Sequence, residues 1–162
     1  MLLKKPRFWD YKYISFLAIV LSPISFIVNI FNFIKLIKSK KKKFPIPIIC
    51  IGNIYLGGTG KTPLAIELFK ILKKINKRPA FVKKYYKNYI DEVKLLKNHG
   101  KVFTNEDRIV AINSLINKKK NIAILDDGLQ ENRVKYDLAI VCFNQKQWIG
   151  NGLLIPAGPL RE

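Results

Sequence analysis

Residues 57–62 read GGTGKT and combine the residue types that hold a nucleotide phosphate. Adjacent glycines can adopt the backbone angles that point N–H groups at an anion. Lys61, after the third glycine, can reach the terminal phosphates, and the Thr62 hydroxyl can bind Mg²⁺. We therefore predict a loop that binds the phosphates of a nucleotide. Its predicted nucleotide-binding residues are Tyr55, Leu56, Gly57, Gly58, Thr59, Gly60, Lys61 and Thr62.

The loop departs from the standard pattern G-x-x-x-x-G-K-[ST] at one position. The first glycine of that pattern would stand at position 55, where this chain has Tyr55. The alternative interpretation is an ordinary glycine-rich turn between a strand and a helix. A phosphate-binding loop requires a strand before it and a helix after it. The flanking segments are therefore the next test of the first interpretation.

The flanking segments have the patterns of a strand and a helix. Residues 44–52 form a short isoleucine-rich run opened by two prolines, which predicts a buried parallel strand. Residues 63–75 place apolar side chains at helical spacing against glutamate and lysines. Pro63 suits the first turn of that helix, where its missing N–H costs nothing. The glycines therefore join a strand to a helix, as a phosphate-binding loop requires.

A second apolar run ends in two carboxylates. Residues 122–127 read IAILDD, and they deliver Asp126 and Asp127 at the carboxyl end of a predicted strand. In a parallel sheet this edge is where ligands bind. We predict Asp126 as a ligand of Mg²⁺ and Asp127 as a catalytic residue beside it. The alternative is a strand followed by an Asp-Gly turn at Gly128.

The rest of the chain predicts a doubly wound α/β domain with a mostly parallel sheet. Strands are predicted near residues 78–86, 101–104 and 136–143, and a helix is predicted over 106–119. Cys50 and Cys142 lie in apolar runs, so we expect buried free thiols. His99 lies in a turn-like stretch, and we expect it to face solvent rather than bind a metal.

The net charge of the chain indicates which classes of partner it could bind. The chain has 30 Lys and Arg against 11 Asp and Glu, a formal net charge of +19. Such a surface suits nucleic acid, anionic lipid or phosphorylated substrates. The sequence has no recognised nucleic-acid-binding motif. We therefore expect no nucleic-acid partner, and we expect anionic lipid to be one.

The amino-terminal segment is predicted to contact a membrane. Residues 13–34 carry no charge, and lysines flank them on both sides, most densely at 40–43. About 20 apolar residues can span a bilayer, whereas positive charge on both sides fits a segment lying in one leaflet. The segment could also form a re-entrant hairpin bent at Pro23 or a pair of buried core helices. We assign residues 1–43 to a membrane-associated helical segment.

Three motifs, in order, resemble one family. They are IPIICIGNIYLGGTGKTP at 46–63, LDDGLQ at 125–130 and GNGLLIPAGPLRE at 150–162. On these motifs the chain is similar to the tetraacyldisaccharide 4'-kinases, the lipid A 4'-kinases, over nearly its whole length. The phosphate-binding loop of that family lacks the first glycine as a rule, which accounts for Tyr55.

The resemblance implies an activity and a location. The expected enzyme is a monomer at the cytoplasmic face of the bacterial inner membrane. It would transfer the γ-phosphate of ATP, with Mg²⁺, to the 4'-hydroxyl of an acylated disaccharide phosphate. The resemblance also implies roles for residues outside the loop. Asp91, in IDE at 90–92, would be the catalytic base, Arg161 would bind ATP together with the loop residues, and Glu162 would be a metal ligand. EDR at 106–108 is a rival match for the motif of the base, although it better matches a family arginine, here Arg108, followed by Ala111.

The chain departs from the family pattern in several places. The family motif SRGYGG appears as KKYYKN at 83–88, with Lys84 in place of the arginine, and Glu131 replaces a histidine. The family also continues for about another domain. We therefore expect residues 44–162 to be the amino-terminal part of the kinase domain, inactive by itself.

Two different functions remain open from the sequence. One is a membrane-associated nucleotide-binding module or ATPase of this class without lipid kinase activity. Within that alternative, ATPases of the partitioning or metal-insertion type usually carry a lysine where Leu56 stands. The second is a nucleic-acid binder, which only the charge supports.

Overall fold

The structure is a computed structural model of the chain, and it describes residues 5–55, 58–86, 90–145 and 147–161. These residues belong to two compact units. The first unit comprises residues 1–39, 53–59 and 143–162, and the second comprises 40–52 and 60–142. The expected boundary after residue 43 stays a prediction.

The second unit contains a parallel sheet. Its strands are β1 (Ile48–Gly52), β2 (Pro79–Lys84), β3 (Val102–Asn105), β4 (Ile122–Asp126) and β5 (Leu138–Val141). They lie in the order β3-β2-β4-β1-β5, and all four pairings are parallel. β1, β2 and β4 are almost fully buried, whereas the edge strands β3 and β5 are partly exposed. The predicted strands therefore exist, and β5 lies at one edge of the sheet.

Helices cover both faces of the sheet. They are α2 (Lys61–Lys74), α3 (Ile90–Lys97) and α4 (Arg108–Asn117). On one face, Phe69 of α2 and Leu96 of α3 pack with Phe81 of β2. On the other, Ile112 and Leu115 of α4 pack against a second apolar cluster. Alternate side chains of each strand enter opposite clusters, as the period of a strand requires. The predicted doubly wound α/β fold is confirmed.

The register brings the carboxyl ends of the central strands together. Ile51 of β1 pairs with Asp126 of β4, and Val82 of β2 pairs with Leu125. Lys83, the next residue of β2, therefore lies beside Asp126. This edge of the sheet collects charged side chains directly after buried apolar ones.

The cysteines are free and buried. Burial raises the pKa of the Cys50 thiol to about 12. Burial also raises the pKa of Cys142. Both thiols are therefore protonated at neutral pH and belong to the apolar clusters, as predicted. His99 is exposed, which also agrees with the prediction.

The first unit begins with a short 3-10 helix (Arg7–Asp10) and one long helix, α1 (Phe16–Lys38). The helix continues through Pro23, so the hairpin bent at this proline is wrong. A proline cannot donate to the carbonyl four residues before it, here that of Ile19. The Ser22 hydroxyl donates to that carbonyl instead, at 2.7 Å, and so offsets the lost hydrogen bond.

Polar residues of α1 bind the last segment of the same unit. The Ser25 hydroxyl donates to the Leu154 carbonyl at 2.8 Å and accepts from the Ala157 N–H at 3.0 Å. Asn32 donates to the Arg161 carbonyl at 3.0 Å. These contacts give the serine and the asparagine of an apolar helix definite partners, which its composition alone did not reveal.

Most apolar side chains of α1 are exposed. Phe16 is 78% exposed and Phe31 is 68% exposed. The interpretation as two buried core helices is therefore wrong. By length and composition α1 is the one helix among the described residues that could cross a membrane.

Candidate active site

The phosphate-binding lysine lies at the start of α2. Gly60 precedes the helix with a φ of +75°, a conformation that favours glycine, and its carbonyl accepts the N–H of Leu64 at 3.2 Å. The Lys61 side chain is 17% exposed, and its Nζ lies 3.5 Å from Asp127 Oδ1. The ammonium group is therefore held at the carboxyl edge of the sheet, at the amino-terminal end of a helix.

Two of the three predicted metal ligands lie together. Asp126 ends β4 and is fully buried, and its Oδ2 accepts a hydrogen bond from Thr62 Oγ1 at 3.1 Å. The threonine belongs to the loop and the aspartate to a strand 64 residues later in the chain. The structure thus brings together two of the three residues for which contact with Mg²⁺ is predicted.

One oxygen of this carboxylate, Asp126 Oδ1, is buried and has no hydrogen-bond partner among the described residues. A buried, unpaired carboxylate oxygen is costly unless a cation or donor satisfies it. Mg²⁺ is usually bound by one or two carboxylates, with phosphate and water oxygens completing its octahedron. Asp126 Oδ1 and Thr62 Oγ1 fit that pattern.

The described residues contain no cluster of three or more His, Cys, Asp or Glu side chains arranged for a metal. A cage built from protein side chains alone is therefore not found in the described part of the chain. The carboxylate–hydroxyl pair fits an ion that arrives with phosphate oxygens.

Asp127 is fixed through its backbone. Its φ is +59°, its N–H donates to the Ile51 carbonyl at 2.9 Å, and its carbonyl accepts from Arg108 Nη2. Arg108 is the first residue of α4 and is only 6% exposed. This arginine, which the sequence did not predict as a site residue, therefore supports the turn that directs Asp127 toward Lys61.

Asp107 fixes the start of the helix that carries Arg108. Its side chain accepts the N–H of Ile109 at 2.9 Å. That hydrogen bond and the guanidinium of Arg133 lower the pKa of Asp107. A charged cap of this kind stabilises the first turn of α4.

Lys83 is a second site residue that the sequence did not predict. Its Nζ lies 2.5 Å from Asp126 Oδ2 and 2.6 Å from Glu92 Oε2, and its side chain is 6% exposed. Burial alone would lower the pKa of Lys83, but the two carboxylates outweigh it and the pKa is raised. The ammonium group is therefore charged and is shared between β4 and α3.

The predicted base lies next to one of these carboxylates. Asp91 and Glu92 are both in the first turn of α3, and both are exposed. Glu92, rather than Asp91, contacts Lys83. The role of Asp91 stays a prediction.

The remaining predicted residues belong to the first unit or lie outside the described residues. Tyr55 is buried in the first unit, where its hydroxyl accepts the Asn144 N–H. Its side chain is therefore used in packing, and only its backbone could bind phosphate. Gly58, Thr59 and Arg161 also belong to the first unit, and the Arg161 N–H donates to the Ile54 carbonyl at 2.8 Å. Leu56, Gly57 and Glu162 lie outside the described residues.

A parallel α/β sheet with Lys61 and Thr62 opening a helix beside a buried strand-end aspartate defines the class of phosphate-loop nucleotide-binding proteins. A model of one family, described as tetraacyldisaccharide-1-P 4'-kinase (LpxK), matches residues 17–90 and 87–162. The chain belongs to the tetraacyldisaccharide 4'-kinase family.

Individual relatives agree with this family. The chain is 53% identical, over its whole length, to the tetraacyldisaccharide 4'-kinase of Pelagibacter ubique, of which it covers 51%. It is 35% identical to that of Rickettsia bellii over 97% of the chain, which corresponds to 53% of the relative. The chain thus spans about half the length of the curated relatives that it matches.

A solved structure has the same fold. It is LpxK from Aquifex aeolicus, described as an "apo" form in complex with ATP, with a TM-score of 0.72 and 30% identity. The similarity covers 90% of this chain and 54% of the Aquifex chain.

Proposed function

We propose that the protein transfers the γ-phosphate of ATP to the 4'-hydroxyl of an acylated disaccharide 1-phosphate. The observation that carries this proposal is that, in a chain of this family, Thr62 contacts Asp126 and Lys61 contacts the next residue, Asp127. The relatives carry the name of this activity, and the Aquifex relative was solved with ATP. Each adds support to the proposal.

The charges of the site suit phosphate transfer. The reaction needs positive charge around the transferred group and precise positioning more than covalent help from the protein. Lys61 would contribute its ammonium group at the terminal phosphates. Thr62 and Asp126 would hold Mg²⁺, which, when bound, neutralises charge that develops on the phosphate oxygens. Asp91 is proposed as the group that accepts the proton of the acceptor hydroxyl.

A direct test is phosphate transfer by the complete gene product. The purified protein is incubated with γ-labelled ATP, Mg²⁺ and a tetraacyldisaccharide 1-phosphate, and the label is followed into lipid by thin-layer chromatography. We expect label in the lipid only when acceptor and Mg²⁺ are both present. Release of free phosphate without labelled lipid would instead support the ATPase alternative, and no consumption of ATP would contradict both.

We also propose that α1 and the lysines after it bind the cytoplasmic face of the inner membrane. Thirteen of the described residues between positions 16 and 37 are exposed large hydrophobics. Lys40, Lys41 and Lys43 follow the helix and are exposed. Apolar side chains that enter the interface and lysines that attract anionic headgroups act together in such segments.

Replacing Lys40, Lys41 and Lys43 by glutamine is expected to weaken binding to vesicles that contain anionic lipid by about tenfold or more. Binding to neutral vesicles should change much less, because no headgroup charge is lost as a partner. Vesicle co-sedimentation measures both. The matched control replaces Lys118, Lys119 and Lys120, which removes the same charge far along the chain.

The apolar side chains of α1 are expected to contribute equally to binding on neutral and anionic vesicles. Phe26 and Phe31 are 65% and 68% exposed on α1, so serine at both positions should weaken binding to neutral and anionic vesicles alike. If the control lysine variant weakens anionic binding as much as the first one does, the overall charge rather than the α1 segment binds the lipid.

A further inference from the structure

Lys83 contacts two carboxylates that belong to different elements. One is Asp126 at the end of β4, at 2.5 Å, and the other is Glu92 in the first turn of α3, at 2.6 Å. A lysine that is 6% exposed is rare unless it is paired. The pairing places a fixed positive charge directly beside the carboxylate proposed to bind Mg²⁺.

The two carboxylate oxygens of Asp126 have different contacts. Oδ2 accepts from both Lys83 and Thr62, whereas Oδ1 is buried and has no partner among the described residues. The carboxylate is thus held by one oxygen, and its other oxygen is unpaired among the described residues. A cation that binds Oδ1 would share the carboxylate with the ammonium group.

We propose that Lys83 is a positioning residue of the metal site, which holds Asp126 through Oδ2, leaves Oδ1 to the divalent cation and weakens the affinity for that cation. Glu92 offsets part of the ammonium charge from the α3 side. The inference rests on the proposed Mg²⁺-dependent function, and it adds a residue to which that function assigned no role.

The signs of the expected effects follow from Coulomb's law. The ammonium group repels a divalent cation bound to the same carboxylate, so removing it should tighten metal binding. Glu92 attracts both the ammonium group and the metal, so neutralising it should weaken metal binding. An ion pair with a merely structural role would change the stability of the fold without these opposite changes in affinity.

Mn²⁺ is the probe, because it prefers the same oxygen ligands and octahedral geometry as Mg²⁺. The electron paramagnetic resonance signal of free Mn²⁺ falls as the ion binds, which gives a dissociation constant for the complete gene product. We expect Lys83→Met to bind Mn²⁺ about tenfold more tightly than wild type and Glu92→Gln about threefold more weakly. Asp126→Asn should abolish binding at this site.

A matched control comes from a second lysine–glutamate pair. Lys70 and Glu67 lie 2.7 Å apart on the exposed surface of α2, with 48% and 62% of their side chains exposed. Lys70→Met and Glu67→Gln make the same changes in charge, and neither should change the Mn²⁺ affinity. Equal effects of the two lysine variants would show that net charge alone acts, which overturns the assignment of Lys83.

The outcomes separate this inference from the proposed function. Mn²⁺ binding that Asp126→Asn abolishes, but that Lys83→Met and Glu92→Gln leave unchanged, overturns the role of Lys83 and leaves the function standing. A wild-type protein that binds no Mn²⁺ in the presence of a non-hydrolysable ATP analogue, beyond what the analogue binds by itself, contradicts the metal site and with it both proposals. If circular dichroism shows that Lys83→Met does not fold, Glu92→Gln decides, because half of its side chain is exposed.

Discussion

Lys61→Ala is expected to lower the rate of phosphate transfer by roughly a thousandfold while the chain stays folded. The ammonium group lies at the start of α2, beside Asp127 and at the edge where the phosphates are proposed to bind. Charge that stabilises the transition state from a fixed position is lost with the side chain. The partner carboxylate of Asp127 is 43% exposed, so it can be solvated by water when the lysine is removed.

Labelled phosphate transfer measures the rate, and far-UV circular dichroism with thermal unfolding checks the fold. Lys70→Ala is the control, because it removes a lysine from the same helix at an exposed pair. We expect the control to retain the wild-type rate. A folded Lys61→Ala protein with near-normal turnover would show that residues 57–62 are not the phosphate-binding loop.

Short-range patterns made the sheet and the loop predictable from the sequence. Runs such as residues 122–126 are buried on both faces, and their continuous apolar composition indicates a central parallel strand. The six residues 57–62 contain the whole pattern that predicts the phosphate-binding loop. The proximity of Thr62 and Asp126 was predictable because a parallel sheet brings the carboxyl ends of its strands to one edge.

Lys83 could not be predicted in the same way. Lysines are numerous in this chain, and the sequence alone does not distinguish a buried lysine from a solvated one. Only the pairing of Val82 with Leu125 places the next residue of β2 beside Asp126. One local signal existed: Lys83 directly follows the apolar run Ala80–Val82 at the carboxyl edge of the sheet, where a charge is unusual unless it meets a partner.

Arg108 was missed for a similar reason. The chain reverses at Asp127 with a positive φ, and an Asp-Gly sequence makes such a turn plausible without naming its support. The support comes from the first residue of α4, which is 19 positions earlier in the chain. At Pro23 the sequence predicted a feature that the structure lacks, because a proline suggested a bend. The hydroxyl of the adjacent Ser22 donates to the carbonyl that the proline leaves without its usual donor, and the helix continues.

Asp91→Asn is expected to lower kcat by roughly a hundredfold to ten-thousandfold, with little change in KM for ATP. The proposed role of this carboxylate is to accept the proton of the acceptor hydroxyl, a step that an amide cannot perform. Asp91 is exposed in the first turn of α3, so its replacement leaves the packing intact. Steady-state kinetics at saturating Mg²⁺ measures the loss.

Glu92→Gln separates the base from its neighbour. Glu92 contacts Lys83 rather than facing solvent alone, so its proposed effect acts through the metal site and should be largely corrected by saturating Mg²⁺. We therefore expect Glu92→Gln to lose less than about tenfold in kcat under conditions in which Asp91→Asn loses at least a hundredfold. The reverse order of the two losses would assign the base to Glu92. Comparable small losses in both variants would place the base outside α3.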